Sequence, residues 1–341
     1  MIVIPLTKTR VSRKFCVLLL VAILVMSLHL SVLILFTAKE TNTSNDTFLK
    51  TLLPKHDFEI IVLTMSRAVS LQRLLWSLEK AKYGSDVIKL SIKIDHSVHN
   101  TEVIKCARNF SFSHGPVKVT VATSNLGLRD SWLSAVSPHE RGRVIILEDD
   151  VEVSPEWYKW LNGAWDAYQH RPDIAGITLY RQTLIPRNPS HIYEIVNEHE
   201  PFLFAQLGSI GFSPHPQQWA GFVKWTTHSV NINRHNFSIP NHIFTYWWSE
   251  GKRRTMWTQL FIYYTILRDL YTLHINLPLN KTLASDLREK GVHFHSTFGR
   301  DFALADASDV DLKFPRSLRK YGFDGRLMNE NATAFSSLFR R

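Results

Sequence analysis

The chain has 341 residues, 45% of them apolar, and a formal net charge of +10. That apolar content excludes a disordered or low-complexity chain, and the length allows one large or two small domains beyond an N-terminal segment. Part of the charge lies at the N-terminus and part in a C-terminal run, Lys313, Arg316, Arg319, Lys320, Arg326, Arg340 and Arg341, with no aromatic-interleaved motif of the RNA-binding kind.

Phe15 to Phe36 holds 22 residues without one charge. At 1.5 Å per residue such a helix crosses a bilayer core of about 30 Å. A cleavable secretory segment has a shorter apolar region, about 7–15 residues, and a small-residue site behind it. None follows here, so the stretch reads as an uncleaved signal anchor. Lys8, Arg10, Arg13 and Lys14 precede it, while only Lys39 and Glu40 follow closely. The positive-inside rule then places residues 1–14 in the cytosol, residues 15–36 in the membrane and the rest in the lumen or outside. Six glycosylation sequons follow, at Asn42, Asn45, Asn109, Asn236, Asn280 and Asn331. A luminal chain has no access to nucleic acid. Cys16 lies in the span, which leaves Cys106 as a buried thiol or as a link to a second chain in a homodimer.

Residues 37–57 are polar and read as a stem, with a globular domain over residues 58–341. Phe58 to Thr64 is a first strand, and Met65-Ser66-Arg67 is the turn after it. Ser70 to Lys82 carries Leu71, Leu74, Leu75 and Leu78 at helical spacing. Val87 to Ile94 is a second strand, ending at Asp95. A short helix is expected near 101–108, a third strand over Val117 to Ala122, and a turn at 124–130 that opens into a helix through Val136. This alternation of strand and helix implies parallel βαβ units.

Val144 to Leu147 is a β-branched apolar run, the signature of a strand buried on both faces. It ends abruptly in Glu148, Asp149 and Asp150. Acids at the carboxyl edge of an open parallel sheet lie where such folds bind ligands. Three adjacent carboxylates repel, and a divalent cation with a taste for hard oxygen relieves the repulsion. Ser154-Pro155-Glu156 then reads as an N-cap, a first-turn proline and a first-turn acid. Further on, Ile174 to Tyr180 is a strand, 181–205 a loop and Pro216 to Trp225 a short helix. Asn236 to Ser249 is irregular and aromatic. Trp257 to Leu270 is an apolar helix, Tyr271 to Leu277 a strand, and 307–341 a basic tail, helical in part. Trp219, Trp225, Tyr246, Trp247 and Trp248 are dense enough for an acceptor platform, although most are expected in the core.

Ile146-Leu-Glu-Asp-Asp-Val-Glu-Val-Ser-Pro-Glu-Trp157 resembles the Glu-Asp-Asp form of the DxD motif in the N-acetylglucosaminyltransferase I family. These are type II Golgi enzymes of the GT-A fold, an α/β architecture with a Rossmann-like, mainly parallel sheet. The resemblance runs from about Phe58 to Phe298, and is thin outside the motif. It implies transfer of a sugar, GlcNAc from UDP-GlcNAc, to a glycan or glycoconjugate hydroxyl. It also implies that Asp150 binds Mn²⁺, that Glu148 and Asp149 contact the ribose and the sugar, that Arg67 contacts the nucleotide and that Asp95 lies near the uracil. A basic luminal surface suits an anionic nucleotide-sugar. Arg129, beside a helix start, is a further candidate for holding the pyrophosphate.

The family carries its catalytic aspartate in a Trp-Asp-Asp-Trp segment, which this chain lacks. Trp247-Trp248-Ser249-Glu250 and Met256-Trp257-Thr258-Gln259 are the nearest stretches. An inverting transfer needs a base near the acceptor hydroxyl. Glu250 is the leading candidate, ahead of Asp269 and Asp301. His293 and His295 alternate along a short strand and share a face. One of them could complete the metal shell, which favours Mn²⁺ over Mg²⁺. Two rivals stay open: a retaining transferase using another nucleotide-sugar, and an inactive membrane-anchored carbohydrate-binding protein of the same fold.

Overall fold

The computed structural model of the protein describes residues 58–137, 142–183, 195–229, 237–242, 245, 256–288 and 299–339. The expected anchor and stem lie outside this set, as do Glu250, His293, His295, Tyr246, Trp247 and Trp248. Among the described residues, no helix is long and apolar enough to cross a membrane.

The first strands are the apolar runs expected from the sequence. β1 (Phe58–Thr64) and β2 (Ile88–Ile94) pair in parallel, and β3 (Val117–Val121) extends the sheet beyond β2. α1 (Ala68–Glu79), α2 (Thr101–Asn109) and α3 (Gly127–Leu133) fill the connections. α1 buries Leu71, Leu74, Leu75 and Leu78, the stripe its spacing predicts. The chain then crosses back, and β4 (Arg143–Glu148) pairs in parallel with the other side of β1. β1 and β4 are both closely buried because neighbours cover both faces. Their shared edge is the point where the strand order reverses.

The rest of the main sheet comes from later, shorter strands. These are β6 (Ile174–Thr178), β7 (Phe202–Phe204), β8 (Phe212–Pro214), β9 (Tyr271–His274) and β12 (Lys320–Tyr321). The order is β12-β7-β9-β6-β8-β4-β1-β2-β3. β8 is antiparallel to β4 and to β6, and β7 to β9. The other pairs are parallel, so the α/β class holds with a mixed but mainly parallel sheet. β5 (Val151–Val153), β10 (Ala284–Arg288) and β11 (Gly299–Arg300) form a second sheet in the order β11-β10-β5.

That second sheet moves one expected boundary. Residues 151–153 are held in a ladder with β10, so the following helix, α4 (Trp157–Tyr168), begins later than Ser154 would start it. The Ser154 hydroxyl accepts the Glu156 N–H at 3.1 Å and donates to the Ala305 carbonyl at 2.6 Å. The expected loop at 181–205 contains β7, which pairs with β9. α5 (Pro216–Lys224) starts at its proline, as predicted. α6 (Thr258–Ile266) stops short of Leu270 because Asp269 takes φ +52° and the Leu270 N–H turns back to the Thr265 carbonyl. The basic tail is packed rather than loose. Leu318, Phe323 and Leu338 are buried, β12 joins β7, and α7 (Ala334–Ser337) is capped by Thr333.

Candidate active site at the strand-order reversal

The register of β1 against β4 sets Leu63 beside Glu148. Thr64 and the turn carrying Arg67 therefore rise next to Glu148, Asp149 and Asp150. The Asp95 N–H donates to the Thr64 carbonyl at 2.8 Å, which brings the end of β2 to the same edge. Open α/β sheets place ligands at this edge, where strand order reverses.

Asp149 is 3% exposed and is held on both oxygens. The Thr64 hydroxyl donates to Oδ2 at 2.6 Å, and the Arg67 guanidinium donates to Oδ1. A second Arg67 nitrogen lies 2.9 Å from Asp150 Oδ2. Arg67 thus bridges two of the three acids. Burial opposes its charge, but Asp149 and Asp150 outweigh burial and hold the guanidinium more firmly protonated. Burial pushes Asp149 up, against the opposing pull of Arg67 and Thr64. Glu148 accepts the Trp132 indole N–H at 3.1 Å, and burial, then the Asp150 charge, push its carboxyl to about 8.

A fourth acid, absent from the sequence reading, joins them. Asp286 lies on β10 opposite Val151, and the Leu287 N–H donates to the Asp150 carbonyl at 2.8 Å. Burial, then the charges of Asp150 and Asp301, raise Asp286 to about 7. Thr64 and Trp132 are also new. A polar residue closing an apolar strand was a visible hint for Thr64. Nothing local marks Trp132 or Asp286.

Asp95 performs loop-shaping work. Its carboxylate accepts the N–H groups of His96 at 2.7 Å, Leu126 at 2.8 Å and Gly127 at 2.9 Å. Gly127 sits at φ +73°, which favours glycine there. Arg129 follows in the first turn of α3 and pairs with its neighbour Asp130 at 2.9 Å, not with the three acids. The two other acids weighed as bases are tied into the scaffold. Asp301 accepts from the Tyr180 hydroxyl, from the Ser285 hydroxyl at 2.8 Å and from the Asp286 N–H at 3.1 Å. Asp269 accepts from the Tyr271 hydroxyl and the Ala334 N–H, both at 2.8 Å. Trp219 is buried in an aromatic core with Trp132 and Trp257, which stack at 4.1 Å, so it forms no platform.

Carboxylate oxygens at this edge suit a hard divalent cation, and Arg67 already stands as a cation between two of them. Among the described residues, no three His, Cys, Asp or Glu side chains form a closed metal cage. Mg²⁺-type sites typically use one or two carboxylates and complete the shell with water and substrate phosphates. The open arrangement fits that pattern.

No protein-family model and no curated protein sequence matches the chain. Solved structures of nucleotide-sugar enzymes align with parts of it. Residues 1–349 of TarS from S. aureus align at 15% identity and TM-score 0.40, over 64% of this chain and 58% of that one. Mouse xyloside xylosyltransferase 1 aligns at 9% and 0.36, over 62% and 82%. Mannosyltransferase PcManGT from Pyrobaculum calidifontis, in complex with GDP-Man and Mn²⁺, aligns at 12% and 0.34, over 48% and 45%. The chain spans less than two thirds of the TarS fragment. At such scores, fold and chemistry rest on this chain's own residues.

Proposed function

We propose that the protein is a metal-dependent glycosyltransferase of GT-A architecture that uses a nucleotide-sugar donor. One observation carries the reading: Glu148, Asp149 and Asp150 end a central strand at the order reversal, with Arg67 bridging the last two. A part-buried, cation-seeking acid cluster at a ligand edge suits a nucleotide diphosphate bound through a divalent ion.

Asp150 holds the cation, Mn²⁺ in the first instance. When bound, the cation screens the pyrophosphate and stabilises the departing nucleotide diphosphate. Asp149, locked by Thr64 and Arg67, presents a fixed acceptor surface to the ribose. Glu148, oriented by the Trp132 indole, faces the sugar. Asp95 sets the 125–129 loop against the base and brings Arg129 beside the phosphates. Glu250 is the proposed base that takes the acceptor hydroxyl proton, and His293 or His295 would add a ligand to the cation.

The donor is UDP-GlcNAc and the acceptor a glycan hydroxyl, by resemblance to the N-acetylglucosaminyltransferase I family. The setting is the Golgi lumen, with residues 15–36 as a type II anchor. The described sequon asparagines, Asn109, Asn280 and Asn331, are exposed, as a luminal, glycosylated chain requires. The test is calorimetric titration of UDP into the full chain in detergent, with and without Mn²⁺. Mn²⁺-dependent binding that is lost in Asp150→Ala supports the reading. No UDP binding under either condition overturns it.

A further inference from the structure

The nine-stranded sheet is finished differently at its two ends. At one end the chain covers its own edge after β12. The Met328 N–H donates to the Lys320 carbonyl at 2.8 Å, and Tyr321 bridges to Leu327. At the other end lies β3, which pairs with β2 alone among the described residues. An open strand edge is a row of unpaired donors and acceptors, and natural sheets block such rows with bulges, prolines or charges. Val117-Lys-Val-Thr-Val121 has no proline, keeps an unbroken register with β2 and carries a single charge, Lys118.

The pairing with β2 fixes where each backbone group points. The Leu90 N–H donates to the Pro116 carbonyl at 3.0 Å, and the Ala122 N–H donates to the Ile94 carbonyl at 2.9 Å. Residues 116 and 122 thus face β2, and strand alternation turns the backbone groups of Lys118 and Thr120 the same way. The N–H and C=O groups of Val117, Val119 and Val121 therefore point outward. Their side chains share the sheet face of Leu90, Ile92 and Ile94 and are half-buried at its margin. The side chains of Lys118 and Thr120 are exposed on the other face.

A second copy of β3, laid antiparallel and centred on Val119, matches this edge on every count. In that register the two Val119 residues face each other, and Val117 faces Val121 of the second copy. All are outward-pointing residues, so each pair exchanges both of its main-chain bonds. The valines of the two copies continue one apolar face. The charges agree as well, because Lys118 falls opposite Thr120 and no two lysines meet. Centring on Lys118 instead would set lysine against lysine, and centring on Thr120 would carry Val117 past the end of the opposing strand. We propose that β3 is a dimerisation edge, at which two copies of this chain join about a two-fold axis through Val119 and their sheets become continuous. A two-fold contact requires a surface complementary to itself, which this register supplies.

The test measures self-association of the full chain in detergent by sedimentation equilibrium, under reducing conditions so that a Cys106 link contributes nothing. The parent is expected to sediment as a dimer. Val119→Pro removes an outward N–H where proline spares the β2 ladder, and weakens the dimer by at least about tenfold. Thr120→Lys changes an exposed side chain and sets lysines opposite each other twice about the axis, for a loss of about tenfold. Adding Lys118→Glu to Thr120→Lys sets opposite charges across the same pair and restores association. Thermal melting checks that each variant is folded. A monomeric parent overturns the proposal. So does a dimer indifferent to both single changes, which must be held elsewhere, and so does a Thr120→Lys loss that Lys118→Glu fails to restore.

Discussion

Among the described residues, two groups of ionisable side chains shielded from water are treated differently. His274 on β9 sits with Nε2 at 2.9 Å from the Gln206 carbonyl, and His242 places Nε2 at 3.0 Å from the Gln206 side-chain oxygen. Burial pushes these imidazoles down to about 4 and about 3. Both are neutral at physiological pH, and a neutral imidazole in a hydrogen-bonded core needs no counter-ion. At the other place, burial raises Glu148 and Asp286 only to about 8 and about 7, beside Asp149, Asp150 and a bridging arginine. Those acids are neither safely neutral nor fully paired. Burial alone therefore does not mark a site. Like charges held together by two sheets, with a cation among them, mark one.

The largest break in that comparison comes from Asp150→Ala. It removes Mn²⁺-dependent UDP binding, a loss beyond the roughly 10–100-fold that outer-shell changes cause. His274→Gln leaves UDP binding unchanged, since His274 bonds to the Gln206 carbonyl and packs on Phe202 and Phe204 rather than on the acids that end β4. Calorimetry on the two variants separates a ligand site from a buried structural cluster.

The pH dependence of stability comes next, because the two regions have opposite signs. An unfolded histidine titrates near 6.5, well above the folded values of about 4 and 3. As pH falls from 6.5, the unfolded chain takes up protons that the folded chain refuses. Each histidine then costs about 2 kcal/mol by pH 5. The acids run the other way. Their folded values of about 8 and 7 exceed the unfolded values, so stability is greatest below about pH 4 and is lost as pH rises through 7 and 8. The double variant Glu148→Gln, Asp286→Asn gains several degrees in Tm at pH 8, a gain that vanishes near pH 4. It also uncovers the acid loss due to the histidines. A Tm series across pH reads both effects, and no gain at pH 8 would show the acids to be unstrained.

The first half of the fold was legible because its signals are local. Four leucines at helical spacing gave α1, and Val144 to Leu147 followed by three acids gave the strand and its ligand edge. Arg67 was legible as a turn residue near that edge, although its bridge between Asp149 and Asp150 depends on the β1–β4 register. The second half was less legible because its strands are too short to show a period. β7 lies in what reads as a loop, and β12 in what reads as a basic tail. Asp286 was invisible for a different reason. Its importance comes from an antiparallel pairing with Val151, and no local pattern encodes which distant strand a short strand will join.

Arg67→Ala tests whether the acid cluster truly depends on a cation. Removing one partner of a fully buried pair costs about 3–5 kcal/mol. Arg67 is 33% exposed, so solvent softens the loss to about 2 kcal/mol. Added Mn²⁺ with UDP restores part of the lost Tm in the variant, because a bound cation can replace the guanidinium charge. The same addition raises the Tm of the parent and of a His242→Gln variant alike by mass action, so only a larger gain in Arg67→Ala marks the exchange of cation for guanidinium. Thermal melts with and without the ion check both halves.

The smallest effect belongs to Trp132→Phe. The indole N–H donates to Glu148 at 3.1 Å, and the ring stacks on Trp257 at 4.1 Å. Phenylalanine keeps an aromatic face but removes the donor. A hydrogen bond to a charged or part-charged group is worth about 1.5–3 kcal/mol, and to a neutral carboxyl about 1 kcal/mol. Because Glu148 titrates near 8, its carboxyl is largely protonated at pH 7, and the lower figure applies. The variant therefore loses about 1 kcal/mol at pH 7 and more at pH 9, where Glu148 is ionised and loses its donor. A Tm difference that stays flat between pH 7 and 9 would mean that Trp132 acts through packing alone, and that Glu148 is oriented by something other than the indole.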